Sequence, residues 1–298
     1  MTDAFDGADR IDTDARSYRY YRNAVERHWD PTDVDLQQDR VRVAALDDDT
    51  FDQLRGTLAL FGAGEEAVTE DLAPLGVVLS DLNDQLFVTT QLYEEAKHAD
   101  FFQRYWSTVI AREEDSRGQT RTNPRDPKWY SDAYVELFER TEAAMHRLLT
   151  EDTPQTRAEA YCHYHLTIEG ILAQTGYYGI QTSFDGSVPG VPELPGLVEG
   201  FGNIRADEGR HVGFGMAKLE ELVESGAVEA EALHELTAEL AMLTQEAVSE
   251  AATDGQTGVD PDELAEYAAT KHAERMTQIT DDDVEIPDVE ELVDIGTD

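Results

Sequence analysis

Four glutamates stand in the middle of apolar helical stripes, and two of them are followed three residues later by histidine. In chain order they are Glu65, Glu95-Ala96-Lys97-His98, Glu169 and Glu208-Gly209-Arg210-His211. Residues three apart on an α-helix project from one face, so each Glu-x-x-His pair offers a carboxylate and an imidazole to the same point. The flanking residues decide which way these groups face. Leu58, Phe61, Glu65, Val68, Leu72, Leu75 and Leu79 recur at spacings of three and four, which places Glu65 inside an apolar face and leaves Glu66 off it. Val88, Leu92, Glu95, Ala99, Phe102, Trp106 and Val109 do the same for Glu95 and put Glu94 outside the stripe. Leu166, Glu169 and Ala173 repeat the arrangement, and Ile204, Glu208, His211 and Gly215 complete it.

Even one uncompensated ion in a protein interior costs several kcal/mol, so four inward carboxylates need a counter-charge. Four carboxylates and two imidazoles from four helices are the ligand inventory of a dinuclear metal bundle. Hard oxygen donors with little imidazole suit iron or manganese, whereas a zinc site would carry more His or Cys. A single Glu-x-x-His in an acidic helical protein is usually a solvated pair; the alternation of two such pairs with two stripe-centred glutamates is what argues for metal. His165 lies one turn before Glu169 and shares its face, as a further ligand or as a hydrogen-bond partner of one.

The pattern is helical almost throughout. Segments at about 16–28, 49–79, 82–116, 129–149, 155–182, 195–225, 228–253 and 260–277 carry helical periodicity, and little or no sheet is expected. Asn123-Pro124, Asp126-Pro127, Asp152-Thr153-Pro154, Asp185-Gly186 and Asp260-Pro261 punctuate them. The chain thus divides into a mobile acidic N-terminus, residues 1–15, one helical domain, residues 16–279, and a solvated acidic tail, residues 280–298. Its 298 residues suffice for one large core.

Charge narrows the partners. With 64 acidic against 23 basic residues the formal net charge is -41, which repels nucleic-acid phosphates and anionic lipid. Only Lys97, Lys128, Lys218 and Lys271 are lysines, a bias that reads as halophilic adaptation, since concentrated salt screens the self-repulsion to within a few ångströms. The single cysteine, Cys162, excludes an internal disulfide framework. Without an apolar leader or an 18-residue apolar run, a cytoplasmic location is expected.

Trp29-Asp30-Pro31-Thr32-Asp33-Val34-Asp35-Leu36, followed by Asp39-Arg40, resembles the signature that precedes the bundle in ribonucleotide reductase small subunits. With Glu65, Glu95, His98, Glu169, Asp207, Glu208 and His211 the resemblance extends over residues 20–225. It implies an all-α, ferritin-like bundle of the ribonucleotide-reductase-small-subunit type with a buried dinuclear site. Two branches fit unequally. A tyrosyl-radical subunit usually has Asp as its first ligand and Tyr four residues after the first ligand histidine, where this chain has Glu65 and Phe102, departures shared by the manganese/iron small subunits that lack the radical tyrosine and by their relatives, the ligand-binding oxidases. The stretches Gly64-Glu65-Glu66-Ala67-Val68, Tyr93 to His98, Tyr164 to Gly170 and Leu172 to Tyr178 resemble instead the manganese/iron ligand-binding oxidases.

That resemblance implies oxygen activation by a Mn/Fe or di-iron pair with O₂ as oxidant, C–H oxidation, a bound long-chain fatty acid and a homodimer. It also implies that Val68 and Tyr164 can be joined by an ether bond. Val68 sits one turn from Glu65, but on an ideal helix five residues turn Tyr164 about 140° away from Glu169, so a local helical irregularity or the reach of the tyrosine is needed to bring them together. Asp207, beside Glu208, is the expected hydrogen-bond acceptor for a ligand histidine. Trp29 resembles the tryptophan on the electron route of the reductase subunits. The alternative reading is such a subunit serving a large catalytic partner, although residues 281–298 lack the aromatic residue through which such tails usually dock. A ferritin-type storage protein is a third reading, which leaves the Trp29 segment unexplained.

Overall fold

The computed structural model describes residues 11–251, 261–281 and 283–292. In chain order the α-helices are α1 (Arg16–Glu26), α2 (Gln37–Arg42), α3 (Asp48–Asp71), α4 (Ala73–Val78), α5 (Leu82–Tyr105), α6 (Ala111–Ser116), α7 (Asp132–Arg147), α8 (Pro154–Tyr161), α9 (Gln174–Phe184), α10 (Pro195–Glu224), α11 (Ala230–Ala251), α12 (Pro261–Thr280) and α13 (Val289–Leu292). No strand occurs among the described residues. Two π-helical segments interrupt the α-helical register: Trp106–Ile110 joins α5 to α6, and Cys162–Ala173 joins α8 to α9.

Local chemistry sets the boundaries. Asp47 accepts from the Thr50 amide at 2.8 Å to start α3, Asp81 accepts from the Asn83 amide at 2.8 Å to start α5, and Thr153 with Thr156 forms a capping box at α8. Pro74 stops α3 because its ring cannot continue the hydrogen-bond ladder, so the long segment expected at 49–79 becomes α3 and α4. Helix α2 was not expected. It carries Asp39, which lies fully buried and accepts from the Gly196 amide at 2.9 Å, the Leu197 amide at 2.7 Å and the Tyr105 hydroxyl at 3.0 Å. The Asp39 carboxylate thereby caps the start of α10, a helix whose own preceding residue, Leu194, makes no side-chain cap.

Helices α3 and α1 both pack along α5, and the π-helical segment 162–173 packs against α10, α11 and α12. One apolar cluster, with Leu72, Phe87, Tyr161, Tyr164 and Phe214, and a second, with Phe51, Phe101, Phe102, Tyr177 and Phe201, fill the bundle. The four glutamates are carried by α3, α5, segment 162–173 and α10.

The two ends depart from the simple expectation. Residues 1–10 of the expected mobile N-terminus lie outside the described residues, while the Asp12 amide donates to Asn83 at 3.1 Å. The expected solvated tail needs correction over 283–292. Ile286, Val289 and Leu292 recur at intervals of three, and all three are buried, with α13 lying on α10. Acidic neighbours concealed this short apolar stripe. Residues 282 and 293–298 of that tail lie outside the described residues.

Candidate metal centre

Glu65, Glu95, His98, Glu169, Glu208 and His211 converge, and none is more than 6% exposed. Ligand atoms of Glu65, Glu95, His98 and Glu208 lie within 4.8 Å of one another, as do those of Glu95, Glu169 and His211. The Nδ1 atoms of both histidines face inward. His98 Nδ1 stands 3.4 Å from Glu65 Oε2, 3.6 Å from Glu95 Oε2 and 3.5 Å from Glu208 Oε1. His211 Nδ1 stands 3.2 Å from Glu95 Oε1, 3.4 Å from Glu169 Oε1 and 3.2 Å from Glu208 Oε2. Glu95 and Glu208 thus present one oxygen to each histidine, whereas Glu65 faces only His98 and Glu169 only His211. Two flanking carboxylates and two central ones make a symmetrical pair of half-sites.

The outward nitrogens are held as well. His98 Nε2 lies 3.0 Å from Asp207 Oδ2, and His211 Nε2 lies 2.9 Å from Glu94 Oε2. A carboxylate only accepts, so each Nε2–H donates to it, and a ring that gave up its other proton to a metal would offer the Nδ1 lone pair to the site. Asp207 also accepts from Trp29 Nε1 at 2.8 Å and pairs with Lys97 at 2.8 Å and with Arg210. The Trp29 and His98 rings run nearly parallel, 6.3 Å apart.

The electrostatics without a cation are those of a site built for one. Burial pushes Glu65 up to about 8, against the pull of His98 and with a further push from Glu95 and Glu208. Burial and the neighbouring Glu208 hold Glu169 well above the usual carboxylate range, and burial also raises Glu208. His98 and His211 resist burial and are raised well above 6.5, chiefly by Glu65 and Glu208 respectively. Protons therefore serve as the counter-charges. Glu95 Oε2, His98 Nδ1 and Glu169 Oε2 are buried without a hydrogen-bond partner, so the donor set fits two hard cations better than it satisfies itself.

Segment 162–173 explains the placement of Tyr164. In π-helical winding hydrogen bonds run from i to i+5, so residues five apart come into register, and Tyr164 shares the face of Glu169. Its hydroxyl lies 3.3 Å from the Val68 carbonyl oxygen and 3.4 Å from Glu95 Oε1. His165 is fully buried against the rings of Tyr164, Tyr161 and Phe214 and belongs to neither ligand cluster. Its Nε2 sits 3.4 Å from Gln91 Oε1, and burial pushes it down to about 3, so it is neutral. Phe102 stacks on Phe61 at 5.6 Å.

The model of the family described as ribonucleotide reductase, small chain, matches residues 13–280. The chain belongs to the ribonucleotide reductase small-chain family. Among solved structures, this small-chain protein is similar to an R2-like ligand-binding oxidase with a valine-to-leucine substitution and an anaerobically reconstituted Mn/Fe cofactor. The identity is 29%, the TM-score 0.80, and the match covers 90% of this chain and 94% of that one. A tyrosine-to-phenylalanine variant with aerobically reconstituted Mn/Fe matches at 29% identity and TM-score 0.80, covering 92% and 98%. A glycine-to-leucine variant with a non-activated Mn/Mn cofactor matches at 29% identity and TM-score 0.80, covering 90% and 94%.

Three residues around the small-chain site escaped the sequence reading. Glu94 needs correction from outward to inward: it is 2% exposed and pairs with Arg210 at 2.5 Å besides His211. Gln91 donates to Glu169 at 2.9 Å; its position one turn before Glu95 was the signal available. The Tyr177 hydroxyl lies 3.5 Å from Glu208 Oε1, buried among Phe61 and Phe201.

Proposed function

We propose that the chain is a dinuclear Mn/Fe or Fe/Fe ligand-binding oxidase, an oxidoreductase that uses O₂ to oxidise C–H bonds of an apolar ligand. Glu65, Glu95, His98, Glu169, Glu208 and His211 would hold the two metals, with Glu95 and Glu208 shared between them. When bound, a reduced metal pair supplies electrons to dioxygen and the oxidising power for C–H cleavage. Asp207 and Glu94 fix the imidazoles through Nε2, which leaves each Nδ1 turned toward the place a metal would take.

The observation that carries this reading is the Tyr164 hydroxyl held at 3.3 Å from the Val68 carbonyl and 3.4 Å from Glu95, with Phe102 where a radical tyrosine would stand. Val68 and Tyr164 are then the first oxidation substrates. Val68 loses a hydrogen from carbon, Tyr164 loses its phenolic hydrogen, and an O–C bond forms. The two electrons and two protons pass to dioxygen. A cavity of about 150 Å³ reaches Glu65 and Glu169 between Leu60, Val68, Phe138 and Ile168, and its apolar lining suits part of an apolar chain, such as that of a long-chain fatty acid. Aerobic reconstitution with manganese and iron should give a peptide pair joined at Val68 and Tyr164, two hydrogens lighter than the sum. Fully metallated, oxygen-exposed protein with the pair unlinked would refute that step.

The hydrogen-bonded line from Trp29 through Asp207 to His98 favours a second reading, a ribonucleoside-diphosphate reductase small subunit. Nucleotide reduction on adding a reductase large subunit would establish it. We further propose a homodimer in the cytoplasm of a halophile, with no nucleic-acid partner; no described helix is long and apolar enough to cross a membrane.

A further inference from the structure

Arg275 of α12 is 3% exposed, and none of the ion pairs among the described residues includes it. Its Nη1 donates to the Gly170 carbonyl, its Nη2 donates to the Leu292 carbonyl at 3.2 Å, and its Nε has no partner. Burial pushes the guanidinium down to about 10, so it remains charged near neutrality. A buried cation whose hydrogen bonds all go to carbonyl oxygens is costly to desolvate, with Tyr267 and Glu274 as the groups that favour its charge. Both carbonyls belong to unusual places. Gly170 follows Glu169 within the π-helical winding, where carbonyls lose their ordinary i+4 partners. A Cβ at Gly170 would lie 2.9 Å from the His165 carbonyl oxygen and 3.1 Å from Arg275 Nη1, so glycine is what lets the guanidinium reach the backbone. Leu292 ends α13, and its Cδ1 would lie 3.1 Å from a Cβ at Gly213, two residues beyond His211.

We propose that Arg275 is a positioning residue for Glu169: it clamps the wide turn through the Gly170 carbonyl, and the docked C-terminal segment 283–292 completes the clamp through Leu292. The inference rests on Glu169 being a metal ligand. It makes the C-terminal segment an internal strut of the site half formed by Glu169 and His211, while the half formed by Glu65 and His98 stands apart from it. Arginine suits the task because its rigid planar fork aims two separate nitrogens at the two carbonyls, whereas lysine has only one nitrogen to share between them.

The test uses full-length protein stripped of metal and titrated with Mn²⁺ alone, with hydrogen exchange of the 162–173 amides followed in the metal-free state. Arg275→Met should weaken one Mn²⁺ site by about tenfold or more and leave the other unchanged. The same amides should exchange about tenfold faster in the metal-free variant. Arg275→Lys, which keeps the charge, should fall between wild type and Met, and it decides the matter if the Met variant does not fold. Two wild-type-like Mn²⁺ sites with unchanged exchange at 162–173 would overturn the proposal, and so would equal weakening of both sites, which marks a merely structural arginine. If wild type itself binds fewer than two Mn²⁺, the metal reading fails, and the exchange rates alone then judge the clamp.

Discussion

His98 and His211 each turn Nδ1 inward and give Nε2 to a carboxylate, yet the two carboxylates differ in how far the sequence reveals them. Asp207 adjoins Glu208 and was legible as the partner of a ligand histidine. Glu94 was not, because it falls off the apolar stripe of α5 and its partners, His211 and Arg210, arrive from α10. Such cross-helix pairing leaves no periodic signal in one helix. The geometry assigns unequal consequences to the ligands. Glu95→Ala should lower the content below one metal per chain, since Glu95 faces both histidines, whereas Glu169→Ala should retain the ion near His98; elemental analysis after gel filtration reads both. Glu94→Gln and Asp207→Asn should keep two sites but weaken them by about tenfold to a hundredfold in a competitive chelator titration.

At the scale of elements, periodicity was a sound guide wherever the helix was ideal and failed where it was not. The stripes placed Glu65, Glu95, Glu169 and Glu208 inward, and the expected segments coincide closely with α1, α7, α10 and α11. The π-helical winding at 162–173 was foreseen only as a contradiction: Tyr164 and Glu169 could not share a face of an α-helix. No residue in Cys162–Ala173 announces the wider turn, which is held by contacts from α10, α11 and α12. Helix α3 ends in an electrostatic cost. Asp71 is buried there beside Glu142 and His146, and burial, then Glu142, raises it to about 6 against the pull of His146. A carboxyl raised on folding contributes stability below its unfolded value near 3.8, and that contribution is lost as pH rises through about 6. Asp71→Asn should therefore stabilise the protein by about 1 kcal/mol at pH 8, once solvent screening is allowed for, and by almost nothing at pH 4. Denaturant unfolding at the two pH values checks the sign.

For the whole molecule, the net charge of -41 sets the conditions under which every local argument holds. Self-repulsion of that size should make the melting temperature rise steadily as KCl is increased to molar concentrations, because the Debye length shrinks to about 3 Å at 1 M; a flat or falling curve would remove the case for salt adaptation. Composition made the acidic surface legible but misled about the end of the chain, where Ile286, Val289 and Leu292 pack beneath acidic neighbours. The central claim is that one buried cluster holds two metals and spends their first oxidation on Tyr164 and Val68. Its most direct test is a crystal structure of aerobically Mn/Fe-reconstituted protein with anomalous data at both metal edges. The expected result is one peak beside His98 and one beside His211, spanned by Glu95 and Glu208, with continuous density between Tyr164 and Val68. A single peak, or metal anywhere outside these six residues, would contradict it.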